Sequence, residues 1–352
     1  MLKSKRLLVF AAVLALSAGC ASEPLLKPEL PIVFPRAPET PRIVYERSYR
    51  GSIDFKTVNV FDKIFGTAVS LDLEKPFDVF ARNNKIYITD TGRGAVQVID
   101  LTEKKISRLG GEGKSRMGLP LGIRGTADGR IYVADGSMKT IEVFDDTGAH
   151  VQTIGKGGGL VNPAGIAIDP ALGRLYVADS KAHAIKVFST TGEFLFEFGE
   201  RGETEGKFLF PSFVAVDPKT SEVYVSDTNN FRVQVFDKDG KFVRAFGELG
   251  DAPGFFQRPK GIGLDSEGHT YVVEAVFNNF QLFDEKGQIL MWVGNGGSGR
   301  GGLFMSPAGL YIDENDKVYV VDTLNKRIQV YQYLSEKWKK DHPEEYNKYL
   351  KR

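Results

Sequence analysis

The sequence predicts an all-β fold: a six-bladed β-propeller of four-stranded antiparallel blades, closed by an N-terminal strand. Three observations predict it. A proline recurs at Pro76, Pro120, Pro163, Pro211, Pro259 and Pro307, with spacings of 44, 43, 48, 48 and 48 residues. In step with it run the tyrosines Tyr87, Tyr132, Tyr176, Tyr224, Tyr271 and Tyr319 and the aliphatics Val98, Val143, Val187, Val235, Leu282 and Val330. Each unit also breaks into short alternating runs, as in PAGIAID, RLYVADS, AIKVFS and EFLFEFG, separated by Gly, Asp and Asn turns. A lone four-stranded sheet leaves two apolar faces in water, so the units must stack, and radial stacking of six covers every face. The 42% hydrophobic content and 39 glycines of the 352-residue chain agree with strands and turns around a large core.

Before the repeats, residues 1–19 read as an export signal: a basic start (Lys3, Lys5, Arg6), an apolar stretch from Leu7 to Leu16, then small residues. The stretch is too short to cross about 30 Å of hydrocarbon, which takes about 20 apolar residues, so cleavage is expected. The sole cysteine, Cys20, follows Leu16-Ser17-Ala18-Gly19, which resembles the bacterial lipoprotein processing box. That resemblance implies lipid attachment at Cys20 and, with Ala21 next and a Gram-negative host, an outer-membrane anchor facing the periplasm. With one thiol there is no internal disulfide. Six prolines between residues 24 and 41 oppose helix and sheet, so 20–41 is read as a tether. Removing Lys3, Lys5 and Arg6 from 46 basic residues leaves 43 against 45 acidic, about −2. Nucleic acid, which selects strongly positive surfaces, is not an expected partner.

The repeats span residues 76–332. Their Pro-x-Gly openings (Pro163 to Gly165, Pro259 to Gly261, Pro307 to Gly309) and Tyr-Val-x-Asp strands are similar to the NHL repeat, as are DTNNFRVQVF in unit four and DTLNKRIQVY in unit six. His183 falls at that family's histidine place. Asp78 in unit one and Phe213 in unit four replace the glycine. The sixth unit lacks a fourth strand, whereas residues 42–50, RIVYERSYR, form a strand without a unit; together they close the ring and remove an open edge. Val58, Phe61, Ile64 and Phe65 share a helical face expected to cover one end of the barrel. The domain runs over 42–334, and the tail 335–352 is read as a solvated helix or disordered, with Trp338, Tyr346 and Tyr349 available for docking.

Six acids, Asp90, Asp135, Asp179, Asp227, Glu274 and Asp322, end the second strands. Such residues fix turns by accepting backbone N–H groups. Set one strand spacing, about 4.8 Å, outside the innermost strands of a hexagon, they stand on the order of 10 Å apart, too far to share one cation as a ring. Glu274 is the exception: its longer side chain is expected to make the turn bond poorly, leaving drift or adaptation to a ligand open.

The turns after the second and fourth strands emerge at one end and are the longer, Gly-rich set. Binding is therefore expected there, on a face carrying Arg93, Lys139, Lys181, His183, Arg232, Lys260, Glu274, Lys326 and Arg327. Arg124 replaces a small residue (Ala167, Ala215, Gly263 elsewhere) on an innermost strand, so it pairs with an acid or presents a cation in the channel; Phe80 and Tyr311 at the same place read as space-fillers. Four histidines, only His183 on that face, do not assemble a three-histidine metal site, and no Gly-x-Ser-x-Gly elbow occurs. The expectation is a monomeric, lipid-anchored, non-catalytic module binding a protein, peptide or glycan of the envelope, with no cofactor. The alternative is a divalent-metal-dependent hydrolase or lyase with acids and Arg124 in the channel, where an Asp/Glu/Asn calcium site stays open.

Overall fold

A computed structural model describes residues 31–55, 71–111, 117–157 and 159–351. One compact body spans Ile32–Arg352; Cys20 and the stretch around Phe61 expected from sequence to be helical lie outside the described residues. Five four-stranded antiparallel sheets follow in sequence, over residues 76–108, 120–154, 163–198, 211–246 and 259–293. Each strand hydrogen-bonds to the next in the chain. In the sixth sheet, Pro307–Ile312, Lys317–Asp322 and Arg327–Tyr333 are joined by β2 (Ile43–Tyr49), which pairs antiparallel with the last of them, Ile43 opposite Tyr333 and Tyr49 opposite Ile328. The closure expected of residues 42–50 is present.

The alternation of each second strand explains the ring. In blade three, Leu175 and Val177 join Tyr132 and Ala134 of blade two, while Tyr176 and Ala178 join Val223 and Val225 of blade four. The same division recurs round the molecule until Tyr319 and Val321 of blade six meet Ile86 and Ile88 of blade one. The result is six interblade cores rather than one. At about 1.5–3 kcal/mol per buried aliphatic or aromatic side chain, each blade is held by both neighbours. The closing strand obeys the same rule, Ile43 packing in the core between blades five and six and Tyr49 in that between six and one.

One segment differs from the sequence reading, and a second takes one of its two alternatives. Val33–Phe34 (β1), inside the stretch read as tether, pairs with Val44 and Ile43, so the body begins at Ile32 and not at residue 42. Pro31 and Pro35 tolerate this because β1 is an edge strand, where missing N–H donors cost no ladder bond. The tail is folded as two short helices, α1 (Glu336–Asp341) and α2 (Pro343–Leu350). Ser335 caps α1 by accepting the Trp338 N–H, and Trp338, Tyr346 and Tyr349 pack on Val33, Val44 and Leu334. Those three aromatics dock on their own chain.

Ile43, fully buried, is expected to cost about 3 kcal/mol when cut to alanine. Val243→Ala, on an outer strand and 45% exposed, should cost under about 0.5 kcal/mol. Urea denaturation of the two variants measures the difference.

Candidate functional site

The six carboxylates are buried, and each accepts at least one backbone N–H from the segment leading into its blade. Asp90 accepts the N–H groups of Glu74 and Lys75 in the segment leading into its blade (2.7 and 2.9 Å) and of Gly92 and Arg93 in its own turn (3.1 and 3.3 Å). Asp135 repeats this with Gly118, Leu119, Ser137 and Met138. Asp179 takes Val161 and Asn162. Asp227 and Asp322 take one lead-in N–H each, from Leu209 and Met305, and fill their other oxygen with Asn230, Arg232 and Gln234, or Asn325, Arg327 and Gln329. Among these five the turn N–H bonds expected from sequence are present at Asp90 and Asp135; the clasp on the lead-in segment is common to all five.

Glu274 departs from expectation. It is fully buried, and it accepts Gln257 and Arg258 N–H on one oxygen (2.9 and 2.8 Å) and Val276 N–H on the other (2.8 Å). Its extra methylene separates the two tasks between two oxygens, so it makes the bonds an aspartate makes and is not on the surface.

The remaining candidates divide by position. Lys139, His183 and Lys326, with Gly94, Phe231 and Asn278, stand four residues after their acids and have φ between +53° and +58°, the left-handed residue that the turn needs. His183 also reaches the next blade, its Nδ1 accepting the Phe210 N–H at 3.1 Å beneath the Phe210 ring. Burial and the nearby Arg201 hold its pKa below the ordinary histidine range. Arg232 and Arg327 are engaged by Asp227 and Asp322 at 3.0 and 2.8 Å and by lead-in carbonyls. Arg93 donates Nε to Asp72 O. Lys139, Lys181 and Lys326 are exposed. Lys260 is half-buried near the axis; burial, then Arg258 and Lys75, pull its pKa down. Cations therefore crowd the middle of this face.

Sequence reasoning missed a second element of the lead-in segments. Leu73, Met117, Leu160, Phe208, Phe256 and Phe304 each stand three residues before the blade's proline, and all are buried. A Cβ on Gly199, Gly247 or Gly294 would lie 2.3–2.5 Å from the Phe208, Phe256 or Phe304 ring, so these glycines are sites of close approach as well as positive φ. The long Gly-rich loops are anchored, and the signal was the fixed spacing to proline.

The channel is closed at the lead-in face. Phe77 of blade one and Phe213 of blade four, opposite each other in the ring, stack across the axis at 5.4 Å and 16°. Beyond them a cavity of about 700 Å³ opens at the other mouth, among the turns after the first strands. Of the ten candidates only Arg124 lines it. Both alternatives for that residue hold: Nη1 donates to Asp78 Oδ2 at 2.9 Å and to the Val79 and Ile123 carbonyls, and the guanidinium lies 5.6 Å over the Tyr311 ring at the cavity wall. Burial raises the Asp78 pKa, against the pull of Arg124. Among the described residues no three His, Cys, Asp or Glu side chains converge as a metal site would require.

The NHL repeat model matches residues 160–188, 208–236 and 304–331, which lie in blades three, four and six. Three of the six blades of this propeller are therefore NHL repeats. Blade one of this propeller carries Asp78 for glycine and blade five carries Glu274 for aspartate. No curated protein matches the sequence. Among solved structures, the NHL-repeat propeller is similar to a Bacteroides thetaiotaomicron protein of unknown function (TM-score 0.60, 19% identity, 74% of this chain and 70% of that one). It is similar also to virginiamycin B lyase from Staphylococcus aureus (0.55, 16%, 73% and 94%) and to an auxiliary nutrient binding protein from Bacteroides ovatus (0.57, 13%, 74% and 69%). At these identities the likeness is one of fold.

Removing one partner of a buried ion pair strands the other, at about 3–5 kcal/mol. Arg124→Ala should therefore lose about 3 kcal/mol, and the double variant Asp78→Gly with Arg124→Ala, which copies Gly165 and Ala167 of blade three, should regain most of it in urea denaturation.

Proposed function

We propose that this protein is a lipid-anchored, non-catalytic binding module of the cell envelope that holds a protein or peptide partner on its lead-in face. One observation carries the reading. Of the sixteen exposed large apolar side chains among the described residues, seven lie on that face, Met138, Val161, Phe210, Leu249, Val276, Met305 and Leu324, with Leu249 and Leu324 62% and 59% accessible. Single exposed apolar residues are ordinary, but a set gathered on one face of a rigid scaffold marks an interaction surface. The lysines at its centre select an acidic rim on the partner. Apolar side chains favour protein or peptide over glycan as the occupant. The carboxylates are bound into the frame, so the face offers contact area and positive charge rather than acid–base chemistry. Likeness of fold to a nutrient binding protein fits a binding role. The anchor rests on the sequence around Cys20, followed by the spacer that lifts the propeller from the lipid.

A photo-crosslinking residue at position 276 or 324, in intact cells, is expected to yield the same discrete adduct, which Met305→Glu weakens; at rim positions 243 and 290 no such adduct should form. Adducts from the rim alone would contradict the reading. Cys20→Ser should move the protein from the membrane to the soluble fraction.

A further inference from the structure

The cavity at the other mouth is a product of asymmetry in the innermost strands. Four residues after each proline stand Phe80, Arg124, Ala167, Ala215, Gly263 and Tyr311, and all six line the cavity. The large three belong to adjacent blades six, one and two and pack together, Phe80 against Tyr311 edge-on at 5.0 Å and Arg124 over Tyr311. The small three fill the other half of the ring, and the volume lies over them. Phe80 and Tyr311 thus make one wall instead of filling the channel. The volume is within the 300–1,000 Å³ of ordinary small-molecule pockets.

The innermost strands give this cavity two polar side chains, Tyr311 and Arg124, while the turns around it add Arg82, Lys219, Asp265, Asp313 and Glu314. The hydroxyls of Tyr132, Tyr176, Tyr224, Tyr271, Tyr319, Tyr331 and Tyr333 are all hydrogen-bonded within the protein. That of Tyr311 has no protein partner among the described residues and borders the cavity. Arg124 is 9% exposed. Its Nη1 is held by Asp78, while Nη2 donates only to Leu310 O at 3.3 Å. Asp78 neutralises the guanidinium, so the pair offers directed N–H donors without a net charge to be matched. The opposite wall is apolar, with Ala215 8% and Ala167 4% exposed.

We propose that this cavity is a binding site for a small ring-bearing compound whose carbonyl or carboxylate oxygen accepts from Tyr311 Oη and Arg124 Nη2 while its apolar body lies over Ala167, Ala215 and Gly263. The site is independent of the lead-in face: the Phe77–Phe213 stack separates the two.

Anilinonaphthalene sulfonate, a fused aromatic body with one anionic acceptor, is a direct probe. Fluorescence titration of the mature protein is expected to show one saturable site. Ala215→Leu or Ala167→Leu, which fill the open half, should weaken it at least tenfold, and Tyr311→Phe several-fold at unchanged melting temperature. Leu324→Glu, on the lead-in face, should leave it unchanged. The two filling variants guard against a folding failure in either one. Absence of saturable binding overturns the proposal, as does a site abolished by Leu324→Glu but untouched by both filling variants.

Discussion

Six innermost strands converge on one axis, and the space between them at the lead-in end is too small for side chains. A Cβ on Gly122 would stand 2.3 Å from Ala164 O, one on Gly165 2.6 Å from Phe213 Cα, and one on Gly261 2.5 Å from Leu310 N. The Pro-x-Gly opening is thus a requirement of closure. Two blades break it, and both compensate. Phe213 turns into the axis and stacks on Phe77. Asp78, whose Oδ1 would lie 2.3 Å from a Cβ on Gly309, is neutralised by Arg124 from the neighbouring blade. Together they seal one end of the channel and furnish the polar corner of the cavity at the other.

The clasped carboxylates explain how long loops can be rigid. Each acid ends a strand in one sheet and holds the segment that opens the same sheet, while His183 and Asn278 accept Phe210 and Ser306 N–H groups in the segment leading into the following blade. The main-chain donors that a surface loop would give to water are satisfied internally. What such loops present outward is fixed in position, which is the property that a recognition surface of apolar side chains needs.

Much of this was legible in the sequence because propellers repeat. The period gave six blades, the orphan strand at 42–50 gave the closure, and the position of the acids gave their role in turns. The choice of end for a cavity was not legible. It depends on which way the substituted side chains of blades one and four lean across the axis, a contact between residues more than 130 positions apart. Glu274 was misjudged because its extra methylene lets one oxygen take the Val276 N–H of its own turn while the other takes Gln257 and Arg258 from the lead-in. The docking surface of the tail was not legible, because Trp338, Tyr346 and Tyr349 pack on a surface that exists only once β1 has paired with β2.

Native-state hydrogen exchange at the lead-in amides tests the clasp most directly. If the carboxylates hold the frame, the amides of Lys75, Leu119, Asn162, Leu209, Arg258 and Met305 exchange only through large-scale opening, with protection close to that of the central strands although they lie in loops. Exchange of these amides at the rates of unprotected loops, with the central strands still protected, would contradict the account.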